Sequence, residues 1–410
     1  MQVLDIFGRS RHGGAVTERG RPRAESARPS GNARALTGLL AARGPMSRAD
    51  LARAAGLSRS AVSNLVLALL ADGAVVETAQ RGRPHKGGSG RPPVLVALSV
   101  PDGCVAGVDV GHAHVRVALA DRSGTVLVEE QAGTQADLDG PQTLDLCADM
   151  VRSALRAAGR ERSELAAVGL CVPAPVDRRS ARISTGILPG WRGLVPSEEL
   201  GRRLDVEVHA DNDANLGALA ESRHGAARDR GDLVYVKLST GVGAGIVLGG
   251  RLHRGATGLA GEIGHVQVGE DGHVCRCGNR GCLETLVALP HLLAVLQPAY
   301  DETLTTERLR ALDEAGDPAV RRVLTDAGRT LGRALADLGN SLNPATVVVG
   351  GALGACGSVV AGVRDAIDRY AQPATAAALE VRPGHLGDRA EVVGALTLAV
   401  LRTAAAGPAG

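Results

Sequence analysis

The sequence predicts an α/β protein in two parts, a small, basic, helical domain followed by a larger domain in which strands and helices alternate. Three observations predict it. Hydrophobic residues make up 44% of the 410-residue chain while aromatics make up 1%, so the core is built from Ala, Val and Leu, which suits helices and buried parallel strands. Residues 1–100 carry 14 Arg and one Lys against six acids, a net of +9, which leaves −7 for residues 101–410. An Arg-rich front end on an acidic body points to a polyanion partner for the front end alone, the plainer alternative being a solvated basic tail. After Pro101 the texture changes to short apolar runs separated by Gly-rich turns.

Taken in order, residues 1–31 hold six arginines among Gly, Ser and Pro without sustained periodicity, and are expected to form a disordered basic arm. Residues 32–100 are expected to form one domain. Leu36, Leu39 and Leu40 have helical spacing and predict a helix over Ala33–Arg43. Ser47, with Asp50 three residues on, offers a cap for a short helix around Leu51, Ala52 and Ala55, which Gly56 ends. Ser58 caps a third helix whose apolar set Val62, Leu65, Val66, Leu69 and Leu70 forms one face and stops at Gly73. The opposite face presents Arg59, Ser60, Ser63 and Asn64 near its N-terminus, where a recognition helix meets the major groove. The spacing resembles a bacterial helix-turn-helix, in which Ala52 lets helices meet, Gly56 makes the turn and Val62 locks the third helix. A plain three-helix bundle has the same pattern.

Ala74–Glu77 and Pro93–Leu98 read as two strands of a wing, and the insert between them carries Arg81, Arg83 and Arg91 among Gly and Pro. Such a segment suits a narrow minor groove, or else is an ordinary linker. The larger domain opens with a meander at 105–110, 115–119 and 125–128, followed by strands at Ala166–Cys171 and Val206–His209 alternating with helices near 141–158 and 213–224. A second strand set begins at Leu233, so the body is expected to comprise two similar lobes, 101–230 and 231–410, with a cleft between them.

Three of the seven cysteines crowd into Cys275, Cys277 and Cys282, ten to seventeen residues after His265, while the others are scattered through apolar surroundings. One imidazole and three thiolates form a tetrahedral zinc set with no evident open position, which favours a structural Zn²⁺ over a catalytic one in a reducing compartment. Gly278 and Gly281 allow the tight turn. The chain has no apolar core suited to a signal peptide and no run approaching ~18 apolar residues, which is read as a cytoplasmic, nucleoid-associated protein without membrane contact.

Gly261-Glu-Ile-Gly-His265 followed by Cys275, Cys277, Cys282, Leu283 and Glu284 closely resembles the signature of the ROK family (repressor, open reading frame, kinase). The resemblance runs in order over about residues 101–405, through Cys171–Asp177, Leu188-Pro-Gly-Trp191, Asp211-Asn-Asp-Ala-Asn215, Ser239–Gly245 and Val347–Gly351. It implies a two-lobed, actin-like or hexokinase-like (ribonuclease H-like) ATPase fold, with the C-terminal helix returning to the first lobe. It also implies a sugar held by Asn212, Asp213, Glu262, His265 and Glu284, with Asp213 matching the general base of the family's kinases. Taken singly, Asn212 and Asp213 could cap a helix and Glu284 could start one. His265 is expected to serve both metal and ligand, and Trp191 either to report sugar binding or simply to pack.

The sequence departs from the kinase pattern at the first phosphate loop. The family's kinases resemble Asp-x-Gly-Gly-Thr-Lys there, whereas this chain has Asp109-Val-Gly-His-Ala-His114: Asp109 and Gly111 survive, but His112, Ala113 and His114 place bulk where phosphates need close backbone approach. The second loop, with Thr240, Gly241 and Gly243, stays kinase-like. ATP and Mg²⁺ are therefore not expected as cofactors. The expectation is a sugar-responsive, DNA-binding transcriptional regulator, commonly a repressor of carbohydrate genes, that takes a small sugar or sugar phosphate and binds operator DNA as a homodimer or homotetramer. The alternative is an ATP-dependent sugar kinase with an appended DNA-binding domain.

Overall fold

The computed structural model describes residues 31–81, 93–99, 102–183, 187–228 and 230–405. The expected basic arm, apart from Gly31, lies outside the described residues, as do Arg83 and Arg91. The described residues form two compact units that divide between residues 100 and 101.

The first unit runs α1 (Gly31–Arg43), β1 (Met46–Ser47), α2 (Arg48–Ala55), α3 (Arg59–Ala71), β2 (Val75–Arg81) and β3 (Val94–Leu98). Ser47 and Ser58 cap α2 and α3 by accepting from the amides of Asp50 and Ala61. Gly56 ends α2 at φ +66°, a left-handed conformation that glycine adopts without strain. Leu36, Leu51, Val62, Val66 and Val96 close the core. The strands form one antiparallel sheet in the order β1-β3-β2. Ala74 is not part of β2, because its amide closes the end of α3 on the Leu69 carbonyl at 2.8 Å. The two-residue β1 has no sequence signal.

The second unit contains two five-stranded sheets. One joins β4 (Cys104–Val110), β5 (His114–Asp121), β6 (Val126–Gly133), β7 (Leu165–Val172) and β8 (Val208–Asn212) in the order β6-β5-β4-β7-β8. The other joins β9 (Leu233–Leu238), β10 (Val242–Leu248), β11 (Arg251–His253), β12 (Thr346–Gly350) and β13 (Glu380–Pro383) in the order β11-β10-β9-β12-β13. Each sheet is an antiparallel three-strand meander extended by two parallel strands, so one architecture occurs twice. The strand read at Val206–His209 is displaced to Val208–Asn212. Asp205 caps the preceding helix in the left-handed conformation and Val206 still bonds back to the Gly201 carbonyl, so neither is free to join the ladder.

In the first sheet β4 is buried on both faces. Cys104, Ala106, Val108 and Val110 share a cluster with Leu144 and Val151 of α4 (Gly140–Ala157) and Leu200 of α5 (Pro196–Leu204), while Val105 packs with Val392 and Leu396. A side chain at Gly169 would lie 1.9 Å from the carbonyl oxygen of Ala395, a close approach that requires glycine. The two sheets are separated by α6 (Asp213–His224), which packs on β9 and β10, and α13 (Ala390–Ala405), which packs on β4 and β7. The outer face of the second sheet carries α7 (Glu284–Val287), α8 (Leu289–Leu296), α9 (Thr306–Glu314), α10 (Pro318–Leu342), α11 (Gly357–Tyr370) and α12 (Pro373–Ala378). The amphipathic α10 buries Val320, Leu324, Leu331 and Leu335 at helical spacing.

Candidate functional site

The β4–β5 turn, the β9–β10 turn and the N-terminus of α6 converge on a small cavity of about 50 Å³, below the usual range of about 300–1,000 Å³ for small-molecule sites. Asn212, Asp213, Glu262, His265 and Glu284 all line it, together with Thr240, Gly241 and Gly243 of the second loop. The cleft thus gathers carboxylates, an amide and an imidazole, the mixture of acceptors and donors that several sugar hydroxyls require.

Local chemistry positions each group. Asn212 accepts from the amides of Ala214 and Asn215 through Oδ1, so it caps α6 while it lines the cavity. Asp213 accepts from the Ala214 amide at 2.7 Å through Oδ1 and from Lys237 Nζ at 2.8 Å through Oδ2. Glu284 opens α7 and accepts from the Val242 amide at 3.1 Å, and its two oxygens meet Arg276 at 3.2 and 3.3 Å. Burial, then the nearby Asp213 and Glu284, push the Glu262 carboxyl up to about 7 against the opposing pull of Arg276. Asp211 is buried beneath the site and binds Asn215 Nδ2 and Arg254, which fixes the turn between β8 and α6.

Sequence reasoning missed Lys237, Arg276, Glu391 and the His112–Asp137 pair. Lys237 projects from β9 to Asp213 and lies 3.4 Å from Glu391 in the first turn of α13. Burial works to lower the Lys237 pKa, but Asp213, Glu391 and Asp109 outweigh it and hold it well above its ordinary value. A lone lysine inside the apolar run Leu233–Leu238 was the available signal. Arg276 was hidden between two cysteines.

The β4–β5 turn is filled from within. His112 Nδ1 lies 2.7 Å from Asp137, and His114 Nε2 lies 3.2 Å from the buried Asp109. Desolvation disfavours the charged form of Asp109, yet the His114 hydrogen bond and the charge of Lys237 hold its carboxyl below the usual range. Gly111 sits directly under the His114 ring, where a side-chain carbon would be 2.2 Å from His114 Cε1.

His265, Cys275, Cys277 and Cys282 bring one ligand atom each to within 4.8 Å of one another. Cys277 Sγ and Cys282 Sγ are 3.7 Å apart, as are Cys275 Sγ and His265 Nδ1. A tetrahedral site with metal–sulfur bonds of about 2.3 Å has edges of about 3.8 Å, so these residues fit a metal ion. The other imidazole nitrogen, Nε2, lies 3.7 Å from Glu262, so His265 stands between the ligand set and the cavity. Trp191 is fully buried, donates to the Ala136 carbonyl at 2.6 Å and does not line the cavity, which is the packing role.

In the first unit, Arg59, Ser60 and Asn64 are exposed on the N-terminal half of α3 and Ser63 is half-buried. Arg81 ends β2. Among the described residues no single helix is long and apolar enough to cross a membrane.

Comparison with known proteins follows the same division. Residues 34–79 match the IclR helix-turn-helix domain and residues 105–401 match the ROK family. The xylose repressor of Bacillus subtilis is 30% identical over 289 residues, 70% of this chain and 73% of that protein. A ROK family transcriptional regulator described as a homologue of the E. coli MLC protein has a solved structure that superposes with a TM-score of 0.72 at 25% identity, over 91% of this chain and 95% of that one. A ROK family glucokinase from Streptomyces griseus, solved with glucose and AMPPNP, superposes with a TM-score of 0.61 at 28% identity, over 72% of this chain and 99% of that one. With its family match spanning most of the chain and following a helix-turn-helix, this protein belongs to the ROK family.

Proposed function

We propose that the chain is a cytoplasmic, nucleoid-associated repressor whose hold on operator DNA is set by a sugar in the cavity between the two sheets. The observation that carries this reading is the exposure of Arg59, Ser60 and Asn64 at the start of α3 in a chain that also gathers Asn212, Asp213, Glu262, His265 and Glu284 around one cleft. Arg59 and its neighbours supply base and phosphate contacts, with Arg81, Arg83 and Arg91 contributing from the wing and insert. A homodimer or homotetramer places paired helices on half-sites. A structural Zn²⁺ held by His265, Cys275, Cys277 and Cys282 supplies a fixed cross-link for the loop that carries Arg276 and leads into Glu284. The sugar acts by binding two states of the protein unequally.

The test is binding of the full-length protein to DNA from upstream of its own gene and to a shuffled duplex, across salt concentrations and with a panel of sugars. Specific binding that one sugar shifts by roughly 5- to 150-fold is expected. Arg59→Ala should weaken specific binding by about 1–3 kcal/mol if it reads a base. Equal, steeply salt-dependent binding to both duplexes would reduce the first unit to a basic surface on phosphate.

Asp213, beside the Thr240–Gly243 loop, also supports a second reading as an ATP-dependent sugar kinase. Both of its carboxylate oxygens are already engaged, by Lys237 and by the Ala214 amide, and the first phosphate loop is filled by His114. Sugar-dependent ADP release that Asp213→Asn abolishes would establish this activity.

A further inference from the structure

We propose that Cys277 and Cys282 are an oxidation site: a peroxide joins them as a disulfide, the metal held by His265 and the three cysteines is released, and the β9–β10 turn loses its anchor. This rests on the structural metal read above and adds an oxidant as a second input to the same loop.

Exposure divides the cysteines. Cys104, Cys147, Cys171, Cys275, Cys282 and Cys356 are buried, and Cys277 is exposed. A peroxide therefore meets Cys277 first, since thiol oxidation follows access to the sulfur. Its Sγ already lies 3.7 Å from that of Cys282. A disulfide needs about 2.05 Å, so closure takes a relative shift of about 1.7 Å, within the reach of side-chain rotation. The span between them includes Gly278 and Gly281 at φ +94° and +69°, and no heavy atom lies within 4 Å of where a side chain at Gly278 would begin, so that side of the turn is uncrowded. Cys275 is placed differently. Its Sγ faces His265 Nδ1 at 3.7 Å, and only Arg276 separates it from Cys277, a span that forces strained disulfide geometry. Residues 272–283 carry Arg276 and Arg280 and no acid, a local charge that stabilises the hydroxide expelled as sulfur is oxidised.

The Cys277 thiolate attacks one peroxide oxygen; the S–O bond forms, the O–O bond breaks and hydroxide leaves, giving a sulfenic acid. The Cys282 thiolate then attacks Cys277 Sγ; the S–S bond forms, the S–O bond breaks and a second hydroxide leaves. Two thiolates lose two electrons, the peroxide gains them, and two protons from solvent complete two waters. His265 and Cys275 remain, half of a tetrahedral ligand set. The effect reaches the cavity through Glu284, two residues beyond Cys282, which holds the Val242 amide at 3.1 Å and meets Arg276, the neighbour of Cys277, through both oxygens.

The experiment starts from full-length protein that is reduced, loaded with zinc and freed of reductant. Hydrogen peroxide is added while a chromogenic chelator reports free zinc and peptide mass spectrometry maps the sulfurs. Stoichiometric zinc release together with a Cys277–Cys282 disulfide, both reversed by dithiothreitol and added zinc, is the expected result. Hydrogen exchange at the Val242 amide should quicken roughly tenfold or more, as for loss of a charge-assisted hydrogen bond, with the β4–β5 turn unchanged. A zinc-loaded protein whose thiols stay reduced at peroxide concentrations that oxidise glutathione in the same tube overturns the proposal and leaves the metal reading standing. So does oxidation of Cys277 to its sulfinic acid with no disulfide. A protein that takes up no zinc yet forms the disulfide overturns the metal reading and the release, and leaves the thiol pair. In Cys282→Ser, Cys277 lacks its partner and should accumulate as a sulfenic acid that dimedone traps; a Cys275–Cys277 disulfide formed there as readily would overturn the assignment of Cys282.

Discussion

The β4–β5 and β9–β10 hairpins occupy the same place in their respective sheets, and the last residue of each first strand pairs at the start of its return strand, Val110 with Val115, the second residue of β5, and Leu238 with Val242, the first of β10. The penultimate residue is Asp109 in one hairpin and Lys237 in the other. Each turn closes with a backbone bond, Gly111 to His114 and Ser239 to Gly241. What differs is the filling: the first turn folds the Asp109-paired ring of His114 over its glycine, whereas the second keeps Thr240 and Gly241 facing the cavity. The frame recurs and the chemistry does not. Opposite charges at equivalent positions let two lobes bury groups that neither could bury alone, since an uncompensated interior charge is costly.

The largest effect should come from removing a metal held by His265, Cys275, Cys277 and Cys282, because only the second hairpin would depend on it. Glu284 follows Cys282 closely and accepts from the Val242 amide, so a metal that ordered this loop would also pin that turn. Structural zinc contributes about 10–16 kcal/mol in isolated zinc-finger peptides and less net in a domain of this size. Chelation or Cys277→Ser should speed amide hydrogen exchange at the β9–β10 turn and weaken sugar binding while leaving the β4–β5 turn protected. Equal loss of protection in both turns would end the comparison.

Next in size is Lys237→Met, which leaves Asp213, Glu391 and Asp109 without their shared cation. Breaking one side of a buried ion pair costs about 3–5 kcal/mol, and a fifth of the Lys237 side chain remains exposed, which favours the lower end. The urea midpoint should fall accordingly, and adding Asp109→Asn should recover part of the loss, because the two positions answer one another. A Lys237→Met protein as stable as the parent would mean that the opposed charges are incidental.

These features were unequally legible in the sequence. The α/β class, the helix-turn-helix and the family followed from periodicity, caps and ordered motifs, since such signals are local: Ser58 caps α3 because its hydroxyl reaches an amide three residues away. The grouping of Asn212 and Asp213 with Glu262, His265 and Glu284 came from motif order rather than from residue spacing. What stayed hidden was pairing across distance. Nothing near Lys237 in the chain indicates Glu391, 154 residues away, and Arg276 reads as a spacer between cysteines until the fold brings Glu284 beside it. The start of β8 was misplaced because a left-handed Asp205 carries no strong sequence signal.

The smallest effects should distinguish the two turns most finely. Gly111→Ala would set a carbon 2.2 Å from the His114 ring, which is tied to buried Asp109, whereas Gly241→Ala would set one 2.9 Å from Glu284 and 3.0 Å from Arg276, both at the ends of longer side chains. Overpacking costs about 1–3 kcal/mol, so Gly111→Ala belongs in the upper part of that range and should appear as lost thermal stability. Gly241→Ala belongs at the lower end and should appear chiefly as weaker sugar binding, because the groups it displaces line the cavity. Combining Gly111→Ala with His114→Ala removes the clashing ring, so the pair should cost less than the sum of its parts by about 0.5–3 kcal/mol. Strict additivity would mean that the ring moves aside freely, and that the first turn is no more tightly filled than the second.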